Sequence, residues 1–151
     1  MKLNELVGSG DKIALLTLPF LAIGLVLNIL FPGLFEVGGP SAALKVIAFV
    51  LLILGVIIWA WSVVLILMKV PRRELITTGP FAVVKHPLYT GVALLVAPAV
   101  GFLLNSWLGI PVGTVMYIGS RRFSPEEEKA LARAFGAAWD EYANNVLIPW
   151  V

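Results

Sequence analysis

The stretch VIAFVLLILGVIIWAWSVVLILM, residues 46–68, contains no charged side chain. A helix of about 20 apolar residues is long enough to cross the hydrocarbon core of a bilayer. Residues 13–31 form a second uncharged stretch of suitable length. With 60% hydrophobic and 13% charged residues and a mean hydropathy of +0.96, the chain is far more apolar than an ordinary soluble domain. We therefore predict an all-α, polytopic membrane bundle.

A longer uncharged stretch, residues 88–119, exceeds one upright crossing. Asn105 and Ser106 lie near its middle and favour a turn, which predicts a helical hairpin. The sequence thus indicates about four transmembrane helices, at about 13–31, 46–68, 88–104 and 106–120. The Gly- and Pro-rich residues 109–113 are expected to shape the hairpin turn rather than to form a close helix contact.

The tail of the chain has a different character, because most of its acidic residues are collected there. Ser124, Pro125 and the acids Glu126–Glu128 are typical of a helix start, where Ser caps, Pro is tolerated and acids suit the helix dipole. We predict a cytosolic amphipathic helix at about 124–144. Its apolar positions follow helical spacing and are expected to pack on the bundle or rest at the interface: Leu131, Phe135, Ala138, Trp139 and Tyr142.

Charge asymmetry sets the expected orientation. Most of the basic residues that flank the predicted spans lie at one interface, and the positive-inside rule assigns that interface to the cytosol. Both termini are then cytosolic, in a multi-pass integral membrane protein. The residues that carry this argument are Lys69, Arg72, Arg73, Lys85, Arg121 and Arg122.

Composition also excludes several classes of function. The chain has no cysteine, so disulfides, thiolate nucleophiles and Cys-ligated metals are excluded. The net charge of +2 comes from clusters beside apolar segments, which suits anionic headgroups better than nucleic acid. A length of 151 residues leaves room for a single membrane domain, residues 1–151.

Polar side chains are concentrated where the predicted topology brings two segments together. His86 and Tyr89 are three residues apart and share a helical face at the start of the third span. Glu127 and Glu128 lie on the same side of the membrane, next to Arg122. Taken singly, the His and Tyr can be interpreted as interfacial anchors of the helix, and the acids as compensation of the helix dipole. Their convergence instead predicts a site for a charged small molecule.

Three segments in this region follow an order known from one enzyme family. They are Leu75–Phe81 with its Gly-Pro-aromatic end, Lys85–Gly91 with the sequence KHPLYTG, and a Glu-Glu-x-x-Leu-x-x-x-Phe-Gly pattern that begins at Glu127. Together they resemble the isoprenylcysteine carboxyl methyltransferase family and its relatives among phospholipid methyltransferases. The resemblance covers roughly residues 70–150, and the first two spans carry no recognisable motif.

The resemblance implies an enzyme that transfers a methyl group from S-adenosyl-L-methionine to a lipophilic or small acceptor, such as an isoprenylcysteine carboxylate, at the cytosolic interface. It implies that Glu127 binds the polar end of the donor and that the KHPLY segment contacts the donor through Lys85, His86, Pro87, Leu88 and Tyr89. Arg122 corresponds to a basic residue that helps to place the acceptor. For an amine, thiol or phenol acceptor, Glu128 or His86 is the candidate base. No metal is implied. The expected partners are the bilayer, the acceptor and, as one way of completing the site, a second copy in a homo-oligomer.

Three other interpretations fit parts of the sequence. An NADPH-dependent membrane reductase of the sterol reductase type would need more basic residues for the nicotinamide phosphate. Haem ligation has only His86 available as an axial histidine. A non-enzymatic scaffold or transporter remains as the third, although transporters place ionisable groups inside their spans and this chain has none there.

Overall fold

The computed structural model describes residues 9–39 and 41–149, which fold almost entirely into helices. In chain order the helices are α1 (Ser9–Leu30), α2 (Pro32–Phe35), α3 (Ala42–Lys69), α4 (Pro80–Val83), α5 (Pro87–Leu103), α6 (Gly109–Phe135) and α7 (Ala137–Asn145). A 3-10 turn at Val70–Arg72 follows α3, and α5 contains a π-helical turn at Val92–Val96. No strand occurs within these ranges, so the predicted all-α class is confirmed.

Two of the described helices are long and apolar enough to cross a bilayer, judged by length and composition. They are Gly10–Leu30, within α1, and Ala42–Arg72, which is α3 with its following turn. Only 11% of the most apolar window of each is buried within the protein, so most of their surface is left for lipid. Helix α5 is apolar but shorter. The count of four spans therefore stays a prediction.

The long helices pack in the spatial order α1, α6, α5, α3. At one end of the bundle, the indole Nε1 of Trp107 donates to the carbonyl oxygen of Leu34, 3.1 Å away. At the opposite end, Lys12 at the start of α1 forms an ion pair with Glu126 in the second half of α6. The beginnings of α1 and α5 and the later part of α6 therefore share one end of the bundle.

The hairpin of α5 and α6 is packed backbone to backbone, which corrects the prediction for residues 109–113. These residues form the first turns of α6, not the connecting turn. A Cβ atom added at Gly113 would overlap the carbonyl oxygen of Ala93, and one added at Gly109 would overlap that of Ala97. Small residues four apart thus let the two helices approach closely, as in membrane helix pairs of the small-xxx-small type.

The predicted helix at about 124–144 is not a separate element, and its expected start at Ser124 is wrong. Helix α6 runs without interruption through Pro125 to Phe135. It is followed by α7, and the break between them lies at Gly136, with φ +53° and ψ −127°, a conformation that glycine adopts cheaply. Packing of α6 along α1 explains why the local start signals at Ser124 do not end the preceding helix.

Helix α7 returns to the bundle and is fixed there by specific contacts. Trp139 and Tyr142 are buried, with Leu131 and Phe135 packed against them, whereas Ala138 is exposed. The hydroxyl group of Tyr142 donates to the carbonyl oxygen of Phe81, 2.9 Å away. Beyond α7, the backbone N–H of Ile148 donates to the carbonyl oxygen of Val83, at 2.9 Å. The tail thereby holds α4 and the KHPLY segment in place.

Candidate functional site

The KHPLY segment lies where the chain passes from a short loop into α5. His86 has φ −124° and ψ 60°, outside the helical region that proline disfavours for the residue before it, and Pro87 takes the first position of the helix. This geometry puts His86 and Tyr89 on one side of the first turn, with their rings nearly parallel and 6.3 Å apart between centroids. Pro87 and Tyr89 are buried. The segment is therefore a fixed part of the bundle end rather than a loose loop.

A cavity opens beside this segment and contains about 760 Å³ of empty space including its mouth. We call it the main cavity. All six residues expected to contact the donor line it: Lys85, His86, Pro87, Leu88, Tyr89 and Glu127. Its other walls are mostly apolar or aromatic and come from four parts of the chain: Ile66 and Val70; Arg73, Glu74, Leu75 and Ile76; Phe81; Leu131, Phe135, Trp139 and Tyr142.

The two neighbouring carboxylates of α6 point to different surroundings, because successive helix residues are turned by about 100°. Glu127 lines the main cavity. Glu128 instead accepts from Lys85 Nζ at 3.2 Å and contacts His86 Nε2 at 3.1 Å. Each carboxylate oxygen of Glu128 thus has one partner, and the three side chains form a bridge between α6 and the KHPLY segment.

This bridge changes the ionisation of Glu128. Burial acts to raise its pKa, but the hydrogen bond with His86 and the charge and hydrogen bond of Lys85 outweigh burial, so the pKa is lowered from its ordinary value. A group whose folded-state pKa is lowered contributes stability above its unfolded-state pKa and loses it as the pH falls through the folded-state value. The bridge is therefore expected to stabilise the fold at neutral pH and to fail in acid.

We expect Glu128→Gln to lower the melting temperature at pH 7 and to have less effect at an acid pH below the lowered folded-state pKa, where the wild-type carboxylate is protonated. Thermal melts of detergent-purified wild type and variant at both pH values measure this. A matched control is Glu141→Gln, an exposed acid on α7. An equal loss of stability by Glu128→Gln at both pH values would contradict the ionic role.

Arg122 is not brought to the main cavity. It is exposed on α6 and is not part of the cavity lining, and its charge acts on Glu126. Its neighbour Arg121 lines a second pocket on the other side of the bridge, with about 500 Å³ of empty space including its mouth. We call this the polar pocket. It is lined by Lys85, His86, Thr90, Ser120, Arg121, Ser124, Pro125, Glu128 and Pro149.

The first turn of α1 also reaches this end of the bundle, which no sequence motif indicated. A Cβ atom at Gly10 would lie 3.5 Å from the Tyr89 hydroxyl oxygen. Lys12 pairs with Glu126, next to Glu127. The only signal in the sequence was the pair of charges Asp11 and Lys12 before the first apolar stretch, and charges in that position are equally typical of a plain helix end.

The model of the isoprenylcysteine carboxyl methyltransferase (ICMT) family matches residues 42–133, which is more than half of the chain. The chain belongs to the isoprenylcysteine carboxyl methyltransferase family. The match spans α3, α4, α5 and nearly all of α6, including the KHPLY segment and both carboxylates. Comparison with curated proteins and comparison with solved structures found no match.

Membership of the isoprenylcysteine carboxyl methyltransferase family identifies the chain as a membrane methyltransferase in general terms. Together with the two long apolar helices, it indicates an integral membrane protein. The recognition made from the three motifs is confirmed by the family match. Helix α1 lies outside the matched residues, so the contact of its first turn with Tyr89 is a feature of this chain beyond the family match.

Proposed function

We propose that this protein transfers a methyl group from S-adenosyl-L-methionine, held in the main cavity, to a lipophilic or small acceptor at the cytosolic surface of the membrane. The observation that carries the proposal is that one cavity gathers the KHPLY segment and Glu127 from different helices of a methyltransferase-family chain. The acceptor class includes carboxylates of the isoprenylcysteine type.

The chemistry of the main cavity fits such a donor. Its walls combine apolar and aromatic surface with a small number of charged side chains, as is typical of small-molecule sites. Glu127 supplies a carboxylate for the amino group of the methionine part. The rings of Tyr89 and Trp139 offer faces that attract a sulfonium cation, an interaction of roughly 0.5–2 kcal/mol.

The reaction makes modest demands on the protein. A sulfonium donor supplies an electrophilic methyl group and leaves as a neutral thioether. The residues of the main cavity then need to align the acceptor with the donor and exclude water, which the apolar walls formed by Leu88, Leu131 and Phe135 favour. A carboxylate acceptor is already ionised and needs no base.

The two residues predicted to be catalytic, Glu128 and Arg122, differ in their position relative to the main cavity. For an acceptor that must lose a proton, His86 is the base that reaches the main cavity, and Glu128 holds it there through their 3.1 Å contact. Placement of the acceptor by Arg122 stays a prediction, because this side chain is exposed and is not part of the cavity lining.

The cytosolic location rests on charge asymmetry. Most of the basic residues that flank the apolar helices lie at the end of the bundle that carries the main cavity, and Lys85 and Arg73 line it directly. The positive-inside rule assigns this end to the cytosol. The same end contains the beginning of α1, which is consistent with a cytosolic N-terminus.

Calorimetry on detergent-purified protein tests the donor site. We expect saturable binding of S-adenosylmethionine and S-adenosylhomocysteine, and a loss of about tenfold or more in Tyr89→Ala, which removes a buried aromatic wall of the main cavity. Tyr117→Ala is the matched control, since Tyr117 lies on α6 outside the cavity lining. NADPH, the ligand expected of a reductase, is titrated separately. Binding of NADPH without binding of either adenosyl compound would overturn the proposal in favour of a reductase.

A further inference from the structure

The polar pocket is a second place where a charged ligand fits, separate from the main cavity. The bridge of Lys85, His86 and Glu128 stands between the two, and Lys85 and His86 line both. On the side away from the main cavity, the polar pocket is completed by Ser120, Arg121 and Ser124 of α6 and by Thr90 of α5. None of these four residues lines the main cavity.

A buried hydroxyl group in the polar pocket lacks a partner. Ser124 is only 4% exposed, and its Oγ has no hydrogen-bond partner among the described residues. The neighbouring Ser120, also buried, donates to the carbonyl oxygen of Tyr117 at 2.7 Å. Buried polar groups are nearly always hydrogen-bonded, and an unmade bond is costly. The Ser124 hydroxyl group therefore points to a ligand atom that accepts a hydrogen bond.

The charges of the polar pocket select an anion. Both carboxylate oxygens of Glu128 are already engaged, one by His86 and the other by Lys85. Lys85 and Glu128 offset each other, which leaves Arg121 as the uncompensated charge that lines the pocket. A guanidinium group presents a planar fork of donors that matches phosphate oxygens. One Arg and one hydroxyl donor suit a singly charged phosphodiester.

The position of the polar pocket indicates where this phosphodiester comes from. Arg121 is the first charged residue of α6 after the uncharged residues 109–120, so the pocket stands at the level where headgroups begin. Thr90 lines the polar pocket and also an apolar groove between α3 and α5. We define the apolar groove by six of its lining residues on α3 and α5: Ile57, Ile58, Trp61, Gly91, Leu94 and Leu95.

We propose that the polar pocket binds the phosphate of an anionic phospholipid, with one acyl chain of that lipid in the apolar groove. Arg121 and the Ser124 hydroxyl group bind the phosphate, and Thr90 lies where headgroup and chain meet. The site is independent of methyl transfer, so it stands or fails separately from the proposed function. The bound phospholipid would contact both α6 and the KHPLY segment from outside the main cavity and so stabilise their packing.

Lipid titration followed by native mass spectrometry of the detergent-purified chain tests this site. Phosphatidylglycerol is expected to bind, and Arg121→Gln and Ser124→Ala are each expected to weaken its binding by about tenfold, the effect of losing one hydrogen bond to a charged group. Arg133→Gln is the matched control, because Arg133 is an exposed Arg further along α6 and should leave binding unchanged.

Melting curves with and without lipid distinguish a loss of lipid binding in Ser124→Ala from a general loss of stability. Ser124→Ala removes an unpartnered buried hydroxyl group, so without lipid it is expected to melt at the same temperature as the wild type or higher. With phosphatidylglycerol the wild type is expected to gain stability and the variant to gain less. An equal lipid-induced gain in both proteins would overturn the role of Ser124.

Three further ligands separate the sources of the anion. Phosphatidylcholine, whose cationic group offsets its phosphate, is expected to bind more weakly than phosphatidylglycerol. Oleate presents a carboxylate on a similar chain, and tighter binding of oleate would overturn the phosphate assignment. Displacement of phosphatidylglycerol by millimolar inorganic phosphate would show that the pocket takes a free anion, which would overturn the lipid source.

Discussion

Glu127→Gln is expected to weaken the binding of S-adenosylhomocysteine by about tenfold to a hundredfold, the usual range for a hydrogen bond with a charged partner. Glu127 is the carboxylate of α6 that lines the main cavity, and we propose that it receives the amino group of the donor. Glutamine keeps the size of the side chain and removes its charge. The loss therefore reports the ionic contact rather than a change in packing.

The neighbouring residue provides a matched control for this substitution. Glu126 is on the same turn of α6, but its side chain is 66% exposed and pairs with Lys12 outside the main cavity. Exposed ion pairs contribute little, so Glu126→Gln is expected to leave ligand binding within about twofold. Calorimetry of both variants measures the difference. Equal affinities in Glu127→Gln and wild type would place the amino group elsewhere.

A binding loss limited to Tyr89→Ala would have a different meaning. It would keep the donor in the main cavity but turn its polar end away from α6, toward the other charged residues of the lining, Arg73 and Glu74. Retained binding in both Tyr89→Ala and Glu127→Gln would remove the main cavity as the donor site. The two variants together therefore test the position and the orientation of the donor separately.

The parts of the fold that sequence predicted well depend on local composition. The uncharged stretches at 13–31 and 46–68 correspond to α1 and α3, with only Phe31 falling just beyond the end of α1. The need for about 20 apolar residues is visible without any knowledge of packing. The sequence also predicted that the KHPLY segment and Glu127 lie at the same end of the bundle, where both line the main cavity. Alternating direction brings the beginning of α5 and the later part of α6 to one end of the bundle.

The helix start predicted at Ser124 shows where local reasoning fails. The pattern of Ser, Pro and three Glu does not distinguish a true helix N-terminus from the middle of a helix that neighbouring helices support. In the structure, α1 packs along α6, and Ser120 and Ser124 are buried on a continuous helix. The real break at Gly136 has a positive φ, which a sequence suggests only as the presence of a glycine.

The resemblance assigned Glu127 to the donor site, but helical spacing alone does not show which of Glu127 and Glu128 lines the main cavity. The motif contains both carboxylates, and a helical step of about 100° separates their directions. Which of them lines the main cavity depends on the rotation of α6 about its axis, and packing of the glycines of α6 against α5 fixes that rotation. The contact of Gly10 with Tyr89 depends likewise on the position of α1, for which no motif exists.

Gly113→Ala is expected to lower the melting temperature by about 5 °C or more, as overpacking of a tight contact costs about 1–3 kcal/mol. The new Cβ would meet the carbonyl oxygen of Ala93, which belongs to the backbone of α5 and has no rotamer with which to move away. Ala93 lies in the π-helical turn, so the substitution would press on an already irregular part of that helix.

Gly33→Ala is the control and should change stability in the other direction or not at all. Gly33 lies in α2, and a Cβ there meets nothing within 4 Å, so only the better helix propensity of alanine acts. Melts in detergent compare the two variants. Equal stability of Gly113→Ala and wild type would mean that α5 and α6 can separate without cost.

The same glycine is expected to affect ligand binding from a distance. Helices α5 and α6 carry Tyr89 and Glu127 at the end of the bundle away from the hairpin turn, so widening their contact at Gly113 tilts one wall of the main cavity against the other. Weaker S-adenosylhomocysteine binding in Gly113→Ala, measured below its melting temperature, would show that the helix contact sets the geometry of the site. Unchanged binding in a destabilised but folded variant would show instead that the bridge of Lys85, His86 and Glu128 holds the two walls together by itself.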